Sequence, residues 1–196
     1  MYKEEFRKNK TSWVNSLMSG LSLDENNQEI PWMTYKAIQF IKNFVNKELE
    51  IFEYGSGSST LFFARNCKNV TSIETNKMWK NIVEGRLKDS NLENSRIHLM
   101  EDGLENENYE NFLKDSDKKY DIIILDAFKR YRCSFNILNA LKKDGIIILD
   151  DSERWNYQRI FDHYEKIGLH RLDFEGISPG QLRLKNSTIF SATPLV

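Results

Sequence analysis

The sequence predicts one α/β domain: a doubly wound, mostly parallel seven-stranded sheet with a C-terminal antiparallel hairpin and helices on both faces. Three observations point to it. Short strand-like segments alternate with segments of helical spacing through most of the chain. Two of the strand candidates, "YDIIILDA" and "GIIILDD", are apolar without alternation, as strands covered on both faces are. The last two strand candidates, "LHRLDFEG" and "STIFSAT", are separated only by "ISPGQLRLKN", which suits an antiparallel pair.

Taken in order, residues 1–31 read as a polar, partly helical extension around "TSWVNSLMSGL", and residues 32–196 as the domain proper. Pro31 suits the start of a helix through "WMTYKAIQFIKNFVN", where Ile38, Phe40, Ile41, Phe44 and Val45 share a face. Strand "LEIFEYG" then leads to helix "STLFFARNC", strand "VTSIET" to helix "NKMWKNIVEGRLKDS", and strand "RIHLMED" to a short helix "NYENFLKDS". "YDIIILDA" leads to helix "SFNILNALKK", and "GIIILDD" to helix "WNYQRIFDHYEKIG". At 196 residues the chain suits a single sizeable core.

The composition narrows the class. Hydrophobic residues at 40% and charged residues at 29% are ordinary for a soluble globular domain. A formal net charge of -1 argues against a dedicated nucleic-acid binder, so no nucleic-acid partner is expected. The opening "MYKEEFRKNK" lacks the apolar core of a secretory signal, and no apolar run approaches the roughly 20 residues that span a bilayer. With two distant cysteines, Cys67 and Cys133, forming no metal or disulfide pattern, the expectation is a cytoplasmic protein with no membrane association. A homo-oligomer is compatible with all of this.

The chemistry starts at "IFEYGSGSST". Gly55 and Gly57 follow a buried strand and precede a helix, where backbone can come close to a ligand and helix N–H groups are free. The third glycine of a dinucleotide fingerprint is absent, with Ser58, Ser59 and Thr60 in that region. Glu53 at the loop entrance would repel a pyrophosphate but suits an ammonium group. Glu74 ends the next strand 21 positions later, a spacing at which an acid commonly binds a ribose diol. A ligand with both a ribose and a cationic amino-acid part is S-adenosylmethionine. A tight turn and a solvated strand end are the alternatives for each feature taken alone.

"FEYGSGSST", "VTSIETNKMW", "MEDG", "YDIIILDAF" and "KKDGIIILDD" resemble, in order and spacing, the motifs of class I S-adenosylmethionine-dependent methyltransferases with a Rossmann-like sheet. The likeness runs over about residues 32 to 193. It implies that Glu53, Tyr54, Gly55, Ser56, Gly57, Ser59 and Thr60 surround the methionine part of the cofactor, and that Glu74 binds the ribose. It also implies that Glu101, Asp102 and Gly103 lie near the adenine, with Asp126 facing the sulfonium and the acceptor. The chain departs from the commonest E/D-x-G-x-G-x-G pattern at Ser59.

On the acceptor side, "LDAFKRYR" and "LDDSER" resemble two segments of catechol-type O-methyltransferases. That likeness places Asp126, Lys129 and Asp151 as catalytic residues. It leaves a divalent metal on Asp126, Asp150 and Asp151 as the less favoured reading, since Ser152 replaces the family's Asn; helix capping by Asp150 and Asp151 is its rival. Arg130, Arg132, Asp150 and Arg154 are candidate substrate contacts, the basic run suiting an anionic acceptor or else lying in solvent. Trp32 and Tyr35 either close over the cofactor or pack in the core. The expected function is methylation of a small molecule, such as a sugar or other hydroxyl metabolite. An aminopropyltransferase on the same fold, or a non-catalytic cofactor-binding partner subunit, is the alternative.

Overall fold

A computed structural model describes residues 2–101, 105 and 107–195. Its centre is a seven-stranded sheet. The strands are β1 (Glu50–Tyr54), β2 (Asn69–Glu74), β3 (Ser95–Leu99), β4 (Tyr120–Leu125), β5 (Leu141–Asp150), β6 (His170–Gly176) and β7 (Lys185–Ser191). Their order is β3-β2-β1-β4-β5-β7-β6, with β7 antiparallel to both neighbours and every other pairing parallel. The predicted architecture, hairpin included, is the one observed.

Alternate residues of the central strands feed two cores. Ile122, Ile124, Ile146 and Ile148 join a cluster with Ile38, Ile41, Leu61, Phe63 and Val83. These come from α2 (Tyr35–Phe44), α3 (Ser58–Asn66) and α4 (Lys77–Asp89). Ile123, Leu125, Ile147 and Leu149 join Tyr109, Cys133, Ile160 and Tyr164 on the opposite face. That face is covered by α5 (Asn108–Asn111), α6 (Arg130–Ser134) and α7 (Gln158–Lys166). Burial on both sides is why β4 and β5 read as unbroken apolar runs.

Three elements differ from expectation. The second helix starts at Tyr35, not at Pro31, because Thr34 is the better cap: its Oγ1 accepts from Ala37 N at 3.3 Å while donating to Phe174 O at 2.9 Å. The helix foreseen at "NYENFLKDS" is one turn. The helix foreseen at "SFNILNALKK" is absent. In its place stand the end of α6, a 3₁₀ turn at Leu138–Ala140, and a β5 that begins at Leu141. Tertiary bonds override local propensity there: Asn136 Nδ2 donates to Asn111 Oδ1 at 2.9 Å and Tyr164 Oη to Ser134 O at 2.7 Å.

The first helix, α1 (Tyr2–Ser19), fastens the loop between β6 and β7. Trp13 Nε1 donates to Gln181 O at 2.9 Å, and Trp32 Nε1 to Pro179 O at 2.7 Å. Gly180 lies so close to α1, at φ +64°, that a Cβ there would be 2.9 Å from Leu17 N. No helix among the described residues is long and apolar enough to cross a membrane.

Candidate active site

The strand order reverses between β1 and β4, so the loops that follow these two strands part and open a crevice. A cavity of about 110 Å³ lies there, lined from the Gly loop by Glu53 to Ser59, with Asp126, Ile124, Trp79, Leu21 and Trp32 around it. Gly55 sits at φ +101°, and a Cβ on it would be 2.9 Å from Asp126 O, so glycine is required there by both conformation and contact. Gly57 differs. Its backbone is extended, and a Cβ would meet only Trp79 Cζ2 at 3.9 Å. The fold leaves room beside Gly57.

Glu53 is buried beneath the loop. Its Oε2 accepts from Thr60 Oγ1 at 2.7 Å and Ser72 Oγ at 3.0 Å, while Oε1 has no hydrogen bond. Burial raises its pKa, and the hydroxyls of Ser59, Thr60 and Ser72 oppose that rise. Thr60 Oγ1 also accepts from Gly57 N at 3.0 Å, so one hydroxyl ties the acid to the loop at the start of α3. Glu74 organises the same loop. Its Oε2 accepts from Ser56 Oγ at 2.9 Å and its Oε1 from Thr75 N and Asn76 N at 2.8 and 2.9 Å. Trp79, which sequence reasoning did not single out, donates Nε1 to Ser56 O at 2.7 Å and walls the cavity. A tryptophan on the helix after the second acid was its only signal.

These residues fit S-adenosylmethionine. A buried carboxylate oxygen without a partner suits its ammonium, the space at Gly57 suits close backbone approach, and Glu74 stands at the end of β2, where the ribose is expected. Tyr54 lines the cavity, but its ring packs on Phe52 and Tyr109 in the core. Of the residues expected near adenine, Glu101 is exposed in a turn, while Asp102 and Gly103 fall outside the described residues. Trp32 lines the cavity, whereas Tyr35 is buried and its Oη lies 3.0 Å from Ser12 Oγ, so only Trp32 closes over the site.

The acceptor side is a network of ion pairs. Asp126 Oδ1 accepts from Arg130 Nη2 at 2.8 Å. Removal from water, with the charge of Asp150 adding to it and those of Arg130 and Lys185 opposing, lifts the Asp126 pKa to about 7. Lys185 is buried and donates to Asp150 Oδ2 at 2.5 Å, Asp151 Oδ1 at 2.9 Å and Trp32 O at 3.0 Å. Asp151 holds Arg154 at 2.5 Å and Arg183 at 2.9 Å as well. Burial alone would raise its pKa, but Lys185, Arg130 and Arg154 bring it down to about 2. Asp151 is at φ +52° and Lys129 at φ +54°, uncommon backbone for such residues and typical of functional edges.

This geometry corrects several expectations. Asp126, Lys129 and Asp151 do not form a trio. Arg130 bridges the two acids, while Lys129 Nζ lies 3.7 Å from Glu110 Oε2. Arg130 is buried and bonded to Asp126 and to the carbonyls of Ala127 and Asp150, so it supports the site and does not face an acceptor. Arg132 turns to Glu110 at 3.5 Å. Asp150 is covered by Lys185 and Ser187, which leaves Arg154 as the one foreseen substrate contact that is exposed. Asp126, Asp150 and Asp151 are committed to Lys and Arg partners rather than arranged around a cation. Among the described residues no group of His, Cys, Asp or Glu could hold a metal ion. Lys185 and Arg183, central here, went unnoticed because each reaches its acid from another strand.

No protein-family model matches the chain, and no curated protein matches it in sequence. Solved structures do, 607 of them, so the architecture is common and does not by itself select a substrate. A Staphylococcus aureus protein provisionally assigned as a caffeoyl-CoA O-methyltransferase has 21% identity and a TM-score of 0.61, over 96% of this chain and 96% of that one. An rRNA methylase from Streptococcus thermophilus has 16% identity and a TM-score of 0.60, over 80% of this chain and 93% of that one. A provisionally assigned methyltransferase from Streptococcus mutans, solved with S-adenosylhomocysteine, has 12% identity and a TM-score of 0.56, over 78% of this chain and 93% of that one.

Proposed function

The fold is that of the class I S-adenosylmethionine-dependent methyltransferases. We propose that the protein is such an enzyme and that it methylates a hydroxyl oxygen of a small molecule. When bound, the cofactor supplies an electrophilic methyl group on a sulfonium. The chain's own residues do the rest. Glu53 holds the ammonium, Glu74 with the Ser56 loop holds the ribose, and Gly55 and Gly57 allow the backbone close approach. Asp126 lies at the end of β4 on the other side of the crevice. With a pKa near 7 it takes the hydroxyl proton as the oxygen attacks in line. Aminopropyl transfer to a polyamine is disfavoured, because the acids that would hold a polyamine are already bound to Lys185, Arg154 and Arg183.

The observation that carries this reading is the room left at Gly57, which nothing in the fold itself requires. Gly57→Ala should leave the melting temperature within about 2 °C. It should weaken S-adenosylhomocysteine binding at least tenfold, about 1.4 kcal/mol, in calorimetric titration. Unchanged affinity would remove the ligand from this loop.

A further inference from the structure

Beside the crevice, two exposed arginines converge on one buried carboxylate. Arg154 Nη2 meets Asp151 Oδ2 at 2.5 Å, and Arg183 Nη2 meets Asp151 Oδ1 at 2.9 Å. Their side chains are 46% and 53% exposed, against 9% for the Asp151 side chain. Each guanidinium carries five N–H donors in a rigid fork. Asp151 takes one nitrogen from each, and Glu153 Oε1 lies 3.3 Å from Arg183 Nη1. The cations gathered here are Arg130, Arg154, Arg183 and Lys185; the anions paired with them, beyond Asp126, are Asp150, Asp151 and Glu153.

The next residues in the chain are apolar and in water. Trp155 follows Arg154, Leu182 precedes Arg183, and each is 91% exposed. Phe128, after β4 on the same edge, is also exposed. A side chain as large as tryptophan, left almost bare beside a pinned arginine, is a surface awaiting an apolar partner. The two arginines are not loose surface charges. Asp151 fixes them from below, and the β6–β7 loop that carries Arg183 is held by the indoles of Trp13 and Trp32.

We propose that Arg154, Arg183, Trp155 and Leu182 form a subsite for an anionic group, a carboxylate or phosphate, carried on an apolar body. Its role as the acceptor subsite rests on the methyltransferase reading above. The arginine fork binds the anion, the tryptophan and leucine cover the apolar part, and the hydroxyl is presented toward Asp126.

Hexyl phosphate is the probe, with inorganic phosphate and hexanol as controls, titrated by ligand-observed NMR in the presence of S-adenosylhomocysteine. Hexyl phosphate should bind about tenfold more tightly than either control. The double variant Arg154→Gln/Arg183→Gln should weaken it at least about fivefold, and so should the fully surface-located Trp155→Ala, with S-adenosylhomocysteine affinity unchanged in both. Equal binding of hexyl phosphate by wild type and both variants, or binding no tighter than the controls, overturns the subsite. Variant-sensitive binding of hexyl phosphate by a folded protein that does not bind S-adenosylhomocysteine overturns the methyltransferase reading and leaves the subsite standing.

Discussion

The two sides of the crevice use the same residue type in opposite ways. On the cofactor side, Glu53 and Glu74 are surrounded by hydroxyls and backbone N–H groups, and no cation comes near enough to pair with either. On the acceptor side, Asp126, Asp150 and Asp151 are surrounded by Arg130, Arg154, Arg183 and Lys185. Neutral donors position a carboxyl without satisfying its charge, so the cofactor side retains capacity for a cationic ligand. Ion pairs satisfy the charge, so the acceptor side retains only what its outermost cations and Asp126 offer.

The sharpest way to separate the two sides is Asp126→Asn. If Asp126 is the base, methyl transfer should fall by about 10² to 10⁴-fold, with S-adenosylhomocysteine binding unchanged in calorimetry. The wild-type rate should rise with pH through about 7, where Asp126 ionises, and the variant should lose that limb. Stability gives an independent check with a definite sign. The Asp126 pKa is higher in the folded state than its ordinary 3.8, so its contribution is complete below pH 3.8 and is lost as pH rises through about 7. Asp151, lowered to about 2, does the reverse: its contribution is present above pH 3.8 and disappears as pH falls through about 2. Chemical denaturation of Asp126→Asn between pH 4 and 7 should therefore lack the decline that wild type shows.

Next in size is Lys185→Met, which removes the central cation of the acceptor side. Asp150 and Asp151 would be left buried beside each other, and breaking such a pair costs about 3–5 kcal/mol. Urea unfolding at pH 7 should register that loss. At pH 4 the loss should shrink, because Asp150, whose pKa burial already raises, takes up a proton once its lysine is gone. An undiminished loss at pH 4 would assign the effect to packing.

The same contrast explains what could be read from the sequence. The cofactor side is local. Glu53, Gly55, Gly57 and Thr60 lie within one turn of chain, and Glu74 follows at the next strand end, so spacing alone exposes them. The strand pattern was equally legible, because burial on both faces leaves an unbroken apolar run at β4 and β5. The acceptor side is assembled at long range. Lys185 is 35 positions from Asp150, and Trp32 is 147 from the Pro179 carbonyl that it holds. Nothing in "LRLKNS" marks a lysine that folds under an aspartate on the neighbouring strand. The basic run 129–132 was visible, yet its side chains part three ways: Arg130 to the acids, Lys129 and Arg132 to Glu110. The missing helix at 134–143 failed for the same reason, since its asparagines bond across to α5.

The smallest effect on stability belongs to Glu53→Gln, and it tests the cofactor side most directly. The amide oxygen can still accept from Thr60 and Ser72, so unfolding free energy should change by no more than about 1 kcal/mol. Ligand binding should change selectively. S-adenosylhomocysteine carries an ammonium, while 5′-methylthioadenosine keeps the nucleoside and thioether and lacks the amino-acid part. The variant should weaken the first about tenfold, roughly 1.4 kcal/mol, and leave the second alone. In wild type, because burial raises the Glu53 pKa, S-adenosylhomocysteine affinity should climb with pH as the carboxyl ionises, and 5′-methylthioadenosine affinity should not follow it. Equal weakening of both ligands would mean that Glu53 acts by shaping the Gly loop through Thr60 rather than by holding the ammonium. The unpartnered Oε1 argues for the ammonium, because a carboxylate used only to brace the loop would have no reason to keep one oxygen without a donor.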